Sequence, residues 1–188
     1  MKYGNFVIEE CSDVYAPRED SLLLTDAVDR YATGKILDLG TGSGIQGIVA
    51  AKKGSEVTFA DIKSSALNCA RENAKANGVT GEFVKSDMFS GIRKRKKFDT
   101  IVFNPPYLPS DGLSRPEPRD YRLDGGASGR EMINLFLAEY KKFLNPSGIA
   151  LLVESSLNNY ERDVKEHKAK VVAKTHFFFE DIVVLLLR

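Results

Sequence analysis

Short apolar runs alternate with amphipathic stretches along this chain. Four of these runs end at Leu39, Asp61, Met88 and Phe103, and most are followed by residues spaced as on a helix. Strands that alternate with helices in this way form a parallel sheet. The last two runs, 171–179 and 182–187, are separated only by Glu180-Asp181, which predicts an antiparallel hairpin. We therefore predict an α/β fold: a seven-stranded, mostly parallel, doubly wound sheet with a C-terminal antiparallel strand.

Composition narrows the class of protein. The 188 residues are 43% hydrophobic and 28% charged, which suits one globular domain over 1–188 with a sizeable core. The net charge is +1, so no global field favours DNA or an acidic membrane. No apolar run reaches membrane-spanning length, and the charged N-terminus is unlike a signal peptide. We therefore expect a cytoplasmic protein.

Cysteine and histidine are scarce. Cys11 and Cys69 form neither a disulfide framework nor a metal-ligand spacing, which predicts a reducing compartment and a small buried side chain at Cys69. His167 and His176 have no cysteine pair near them, so we predict no metal site and place both on the surface or in a strand.

Asn104-Pro105-Pro106-Tyr107 carries the most specific chemistry. It follows a buried strand, at the end where open α/β sheets bind ligands. The Asn104 side-chain oxygen and the Pro105 carbonyl can both accept hydrogen bonds from one NH2 group, and Tyr107 offers a flat face to a planar group. Two such acceptors turn the lone pair of a conjugated NH2 toward an electrophile. The motif resembles that of amino methyltransferases, with Asn104, Pro105 and Tyr107 as catalytic residues; the alternative is a proline-rich turn.

A glycine turn follows the first predicted strand of the sheet. Gly40, Gly42 and Gly44 let the backbone approach a ligand and take positive φ. The dinucleotide fingerprint would need a glycine at Ile45. The spacing after Asp38 instead resembles motif I of S-adenosylmethionine (AdoMet)-dependent methyltransferases.

Two acids end the next strands. Asp61 lies where ribose hydroxyls are held in related nucleotide-binding folds. In class I methyltransferases, which this order of motifs resembles, an acid at the place of Asp87 accepts from the adenine amino group, and the next residue, here Met88, packs on the ring. Taken alone, either acid is equally well a helix cap or loop carboxylate.

We interpret residues 1–18 as an N-terminal extension. Two charged segments are ambiguous. Residues 108–128 have neither the helical nor the strand period of apolar residues, and we interpret them as a substrate loop. The loop region contains several arginines that can steer a peptide or a phosphate backbone, or that are only solvated: Arg115, Arg119, Arg122 and Arg130. The basic run 93–97 contacts RNA or is a solvated turn; its place before the NPPY strand puts it at the opposite end of the sheet.

Four segments together resemble the archaeal and eukaryotic branch of the HemK family of release-factor glutamine methyltransferases. They are 13–21, the glycine turn, NPPY and 125–131. The resemblance implies AdoMet-dependent methylation of the glutamine amide in a Gly-Gly-Gln loop. It also implies cofactor contacts, which fall here on Ser21, Asp38, Gly40, Gly42, Asp61, Asp87, Met88 and Asn104. The family more often has threonine than serine at Ser21.

The resemblance further implies a small zinc-binding activator subunit, paired along the edge strand that contains Glu82 to Lys85. Glu82 and Lys85 can instead act as gatekeepers of a monomer.

Alternative substrates remain open: the amino group of a DNA or RNA base, or a lysine. A DNA enzyme normally needs a target-recognition domain and a basic cleft, and neither is visible. A silent binding subunit is disfavoured because every catalytic position is filled.

Overall fold

The structure, a computed structural model, describes residues 2–3, 6–110, 123–177 and 179–188, with side chains from residue 6 onward. The described strands are β1 (Lys2–Tyr3), β2 (Phe6–Val7), β3 (Lys35–Leu39), β4 (Glu56–Asp61), β5 (Glu82–Lys85), β6 (Phe98–Phe103), β7 (Leu144–Ser155), β8 (Lys170–Phe177) and β9 (Glu180–Leu187). The described α-helices are α1 (Glu19–Tyr31), α2 (Ile45–Lys52), α3 (Ser64–Ala76), α4 (Glu131–Glu139) and α5 (Tyr160–Glu166). Tyr140–Phe143 and Ser156–Asn158 are short 3₁₀ turns.

Seven of these strands form one sheet in the order β5-β4-β3-β6-β7-β9-β8. The pairs from β5 to β7 are parallel, whereas β9 runs antiparallel to both β7 and β8. The predicted fold class is therefore confirmed, and so is the hairpin at the end. The strand order reverses between β3 and β6, and open α/β sheets bind ligands at such a point.

The core lies on both faces of this sheet. Ile36, Leu37, Ile101 and Val102 are fully buried in the central strands, which explains why these strands are continuously apolar rather than alternating. One face of α4 and of the 3₁₀ turn after it also belongs to the core, because Ile133 and the rings of Phe136 and Tyr140 are inaccessible to solvent.

Some features differ from the sequence prediction. The third strand of the sheet ends at Lys85 rather than Met88. Strand β7 begins at Leu144 because this residue already pairs with Phe98, before a shift of register. The small hairpin β1–β2 was not predicted. It has only two residues in each strand, too few for a periodic signal.

The cysteine interpretation was wrong. Cys11 and Cys69 form a disulfide across a sequence separation of 58. Cys69 is buried as predicted, but it faces Val14 and Ala66 rather than the main core. Sequence spacing could not reveal the bond, because it joins the segment before α1 to the middle of α3.

The basic run lies at the amino end of the sheet, as predicted. The Lys96 ammonium pairs with Glu82 at the start of β5 and donates to the Thr58 hydroxyl at 2.8 Å. Lys97 donates to the Lys142 carbonyl. Two of these cations therefore join neighbouring elements. None of the described helices combines the length and apolar character needed to cross a bilayer.

Candidate active site

One cavity of about 440 Å³ opens at the carboxyl ends of β3, β4, β5 and β6. The residues predicted to be catalytic or to contact AdoMet all line it: Ser21, Asp38, Gly40, Gly42, Asp61, Asp87, Met88, Asn104, Pro105 and Tyr107. Parallel strands end at the same edge, which is why motifs far apart in sequence meet here.

The glycine turn forms the floor on the β3 side. Gly40 and Gly42 have φ of 62° and 53°, which disfavour any residue with a Cβ. Buried Asp38 closes the turn, because one carboxylate oxygen accepts from the Thr41 hydroxyl at 2.5 Å and from the Gly47 N–H at 3.0 Å. Burial raises the pKa of Asp38 to about 7, although these two hydrogen bonds oppose the shift. Its observed contacts therefore hold the turn.

Asp61 stands at the end of β4, beside the turn. Its carboxylate accepts from the Gly42 N–H at 3.1 Å and from the Lys63 N–H at 2.9 Å. It is only half-buried, so a ligand in the cavity can reach it. The acid is thereby fixed by backbone donors before any ligand binds.

Asp87 and Met88 lie just beyond β5. The buried Ser86 hydroxyl donates to the Met88 carbonyl at 2.6 Å and accepts from the Gly91 N–H at 2.9 Å. This tight turn gives Met88 a φ of 47°, unusual for a residue with a side chain. The Asp87 carboxylate is exposed at the cavity, and the Met88 side chain is half-buried beside it.

Asn104 follows β6, and its two amide atoms have different surroundings. The nitrogen donates to the buried Asp20 carboxylate at 2.9 Å and reaches the Ser21 hydroxyl at 3.5 Å. The oxygen, Oδ1, is buried without a hydrogen-bond partner in the described part of the chain. A buried acceptor left unpaired is costly, so it marks a place prepared for a donor. Sequence reasoning missed Asp20, although it adjoins Ser21 in a segment that carries the family resemblance.

Tyr107 is held by a segment of residues 123–131, which we call the arm. Leu108 exchanges backbone hydrogen bonds with Leu123 and Gly125, both at 2.9 Å. A Cβ at Gly129 would lie 2.3 Å from the Tyr107 carbonyl, so only glycine allows this approach. The same carbonyl accepts from the Asn158 side chain at 2.7 Å. Burial raises the pKa of Tyr107 well above its ordinary value, so the ring stays a neutral phenol.

Arg130, at the end of the arm, is buried, which corrects both sequence interpretations, a cation that steers substrate and a solvated one. Its guanidinium pairs with Asp163 at 2.6 Å and Glu154 at 3.5 Å, and it also donates to the Asn158 carbonyl. Burial and the neighbouring Asp163 raise the pKa of Glu154 to about 9, against the opposing charge of Arg130. Arg115, Arg119 and Arg122 lie outside the described residues.

The other side of the cavity is lined by Asp13, Val14 and Tyr15. They belong to residues 6–18, a segment that we call the strap. Asn73 accepts from the Glu9 N–H at 2.9 Å and donates to the Glu9 carbonyl at 3.1 Å. Asn77 makes the same pair of bonds with Val7, at 3.1 and 2.8 Å. One helical turn advances about as far as two strand residues, so the two amides match alternate residues of the strap.

These surroundings fit AdoMet. The glycine turn presents backbone rather than side chains, and a Cβ at Gly42 would point at Val14 of the strap across 3.8 Å. Asp61 offers carboxylate oxygens suited to ribose hydroxyls, and Asn104 Oδ1 awaits a donor at the adjoining end of β6. No metal ligand set is needed for this ligand. Asp163, Glu166 and His167 lie near one another elsewhere, but Asp163 is already paired with Arg130.

The chain is similar to known methyltransferases. A family model described as methyltransferase small domain matches residues 17–114. A protein of Methanocaldococcus jannaschii named as a protein N5-glutamine methyltransferase is 34% identical over 92% of this chain and 90% of its own. Human methyltransferase HEMK2 is also 34% identical, over 85% of this chain and 79% of its own. A release factor glutamine methyltransferase of Deinococcus radiodurans is 35% identical over 73% of this chain and 51% of its own.

Solved structures agree on the fold. A methyltransferase from Pyrococcus furiosus superimposes with a TM-score of 0.72 at 22% identity, over 98% of this chain and 89% of its own. A ribosomal protein L11 methylase from Lactobacillus delbrueckii gives 0.68 at 20% identity, over 93% and 81%.

Sheet order, glycine turn and the acid after β4 define the chain as a class I methyltransferase that uses AdoMet. Within that class, it belongs to the HemK family.

Proposed function

We propose that this enzyme methylates the side-chain amide nitrogen of the glutamine in the Gly-Gly-Gln motif of a translation release factor. The observation that carries the proposal is Asn104 Oδ1, a buried acceptor without a partner among the described residues, on a residue that lines a cofactor-sized cavity. The names of several relatives supply the release factor and its glutamine.

Each lining residue has a proposed role. The glycine turn, with Gly40, Gly42 and its clamp Asp38, cradles the methionine part of AdoMet. Asp61 accepts from the ribose hydroxyls, and Ser21 contacts the cofactor from the start of α1. Asp87 accepts from the adenine amino group while Met88 packs on the ring. Both lie beside the cavity on the side of β5, next to Asp61 on β4.

When bound, AdoMet supplies an electrophilic methyl group on a sulfonium. Asn104 Oδ1 and the Pro105 carbonyl accept the two N–H bonds of the substrate NH2, so its lone pair faces that methyl group. Tyr107, a neutral phenol, holds the plane of the amide. The methyl group that bound AdoMet would supply would pass to this nitrogen, the sulfonium would leave as a neutral thioether, and the nitrogen would release a proton to water. Positioning is the enzyme's main contribution because the leaving group is good.

One assay tests the proposal. The enzyme and tritiated AdoMet are incubated separately with the cognate release factor, its Gln-to-Ala variant, tRNA and DNA. Tritium should enter only the release factor that keeps its glutamine. Asn104→Ala should lower turnover at least about tenfold and leave AdoMet affinity within a few-fold, because this residue acts mainly in the transition state. Label in nucleic acid, or at a lysine of the Gln-to-Ala factor, would reject the glutamine assignment.

We further propose that an activator subunit of the family's small zinc-binding kind adds a strand to β5. This strand is an outer edge of the sheet in the described order. The Ser86 N–H donates to the Asp61 carbonyl on β4 at 2.9 Å. Because N–H groups alternate sides along a strand, Phe83 and Lys85 direct theirs outward.

A proline placed at an outward position should remove a donor to the partner without breaking β4–β5. Lys85→Pro should therefore dissociate a co-expressed 1:1 complex while the single chain still binds AdoMet; Lys85→Ala is the matched control. Full activity of the single chain, unchanged by the added subunit, would show an independent enzyme.

We place the enzyme in the cytoplasm, where release factors work, and immunofluorescence or cell fractionation tests this.

A further inference from the structure

Asp20 connects the strap side of the cavity to the NPPY motif. One carboxylate oxygen, Oδ1, receives the Tyr15 hydroxyl at 3.2 Å, the Ser21 N–H at 2.6 Å and the Ser21 hydroxyl at 3.2 Å. The other, Oδ2, receives the Asn104 amide at 2.9 Å. The carboxylate is buried, with 2% of its surface exposed. Its two oxygens therefore have separate tasks.

The contact with Asp20 decides which end of the Asn104 amide stays unpaired. A side-chain amide has a donor end and an acceptor end of nearly the same size and shape, so packing alone cannot distinguish them. A carboxylate only accepts, which selects the NH2 end of Asn104 and leaves Oδ1 as the acceptor without a partner among the described residues. With the amide reversed, two donors would confront the substrate NH2.

We propose that Asp20 is a positioning residue for methyl transfer: it fixes the orientation of Asn104 so that its oxygen receives the substrate's N–H. The consequence for the reaction rests on the proposed function, because it assumes an NH2 substrate. The orientation itself does not, and it can be measured on the free enzyme.

The three donors around Oδ1 make Asp20→Asn a sharp test. They require an oxygen at that place, so the NH2 of the introduced amide must occupy the other and point at Asn104. Asn104 must then turn its own oxygen toward position 20 and its NH2 toward the cavity. An almost isosteric change should thus reverse the acceptor. Removal of one aligned hydrogen bond to a reacting group costs about 10²–10³ in kcat, so we expect at least about a hundredfold loss.

The double variant Asp20→Asn with Asn104→Asp restores the original pattern with the charge exchanged. The amide at position 20 donates to the carboxylate at 104, whose other oxygen faces the cavity as an acceptor. We expect it to recover at least about tenfold of the activity that Asp20→Asn loses, about 1.4 kcal/mol of coupling. Asn104→Asp alone places two carboxylates together and should be inactive.

The controls separate orientation from folding. Asp26→Asn makes the same change on the exposed face of α1 and should leave kcat unchanged. The AdoMet affinity of Asp20→Asn, measured by calorimetry, should stay within about threefold of the wild-type value. This is well below a tenfold change, which corresponds to about 1.4 kcal/mol. More than a tenth of wild-type turnover in Asp20→Asn, or a double variant no better than the singles, would overturn the positioning role.

A measurement on the wild-type enzyme needs neither substrate nor variant. In protein labelled with ¹⁵N and ¹³C, NMR should show scalar coupling through the hydrogen bond between Asn104 Nδ2 and Asp20 Cγ. Absence of this coupling with both signals assigned would overturn the proposal even if a release factor is methylated. Its presence in an enzyme that does not label the release factor would instead reject the proposed substrate and keep the orientation.

Discussion

The strap and the arm cover the two halves of one cavity, and they are attached by different chemistry. The strap lies on the cofactor side and is tied to α3 by the Cys11–Cys69 disulfide and by neutral hydrogen bonds from Asn73 and Asn77. The arm lies on the acceptor side and ends in buried Arg130, which sits between the Asp163 carboxylate and the Glu154 carboxyl group. The strap is held by the disulfide, by neutral amides and by the Tyr15 hydroxyl on the Asp20 carboxylate, whereas the arm is held by a buried ion pair.

Because the two attachments differ, the binding of AdoMet and the transfer of its methyl group can be impaired separately. A Cβ at Gly42 in the glycine turn would face Val14 of the strap, whereas Gly129 of the arm touches the Tyr107 carbonyl of NPPY. Loosening the strap should therefore weaken AdoMet binding first. Loosening the arm should impair methyl transfer first.

The largest expected effect is on the arm. Arg130→Met leaves the Asp163 carboxylate buried without its cation, beside Glu154, and breaking a buried pair in this way costs about 3–5 kcal/mol of folding stability. Urea unfolding measures this loss. Methyl transfer should fall more than AdoMet affinity, because NPPY loses its support. Arg162→Met, which breaks an exposed pair with Glu166, should cost less than about 1 kcal/mol. Equal losses in the two variants would refute the comparison.

The strap comes next. Cys11→Ser opens a loop across 58 residues and should cost about 2–4 kcal/mol, with weaker AdoMet binding by calorimetry. Reductant should shift the unfolding midpoint of the wild-type protein toward that of the variant and leave the variant unchanged. Two titratable thiols in the native, unreduced protein would show that the strap is held by its amides alone.

The sequence predicted the parts of the site that are local. Gly40, Gly42 and Asp61 stand at strand ends, and a strand end is visible in the period of the apolar residues. Their meeting in one cavity follows from the parallel sheet. Asn104 could be found in the same way, because NPPY directly follows an apolar run.

The attachments of strap and arm could not be predicted in this way, since they join loops to distant helices. A signal did exist for the strap: Cys69, Asn73 and Asn77 recur every four residues on one face of α3, and polar residues on an inward face need partners. For Arg130 there was none. A buried arginine and a solvated one look alike until the positions of Glu154 and Asp163 are known.

A pH series sharpens the contrast between the attachments. The pKa of Glu154 rises from 4.5 to about 9 on folding, so the folded protein holds a proton that the unfolded chain releases between those values. The stabilisation of the folded protein by this proton is complete below pH 4.5. It is lost as the pH rises toward 9, by at most about 1.4 kcal/mol per pH unit. Glu154→Gln should remove this slope.

The slope is best compared above pH 7, because Asp38, whose pKa is raised to about 7, adds a slope of the same sign below that value. Urea unfolding at pH 7 and pH 8.5 should show the wild type losing stability relative to Glu154→Gln. Parallel curves for the two proteins would show that Glu154 is already ionised in the folded arm. Cys11→Ser should keep the wild-type slope, since the strap contains no part of this cluster.

The smallest expected effect distinguishes the two side-chain amides that bind the strap, Asn73 and Asn77. Asn77→Ala removes the pair of bonds to Val7, far from the cavity, and should cost about 1 kcal/mol with unchanged AdoMet affinity. Asn73→Ala removes the bonds to Glu9 and also a bond to the Ser43 carbonyl in the glycine turn, at 2.9 Å. It should therefore weaken AdoMet binding as well. Calorimetry on both variants measures this, and equal affinities would mean that the strap supports the fold without shaping the cofactor site.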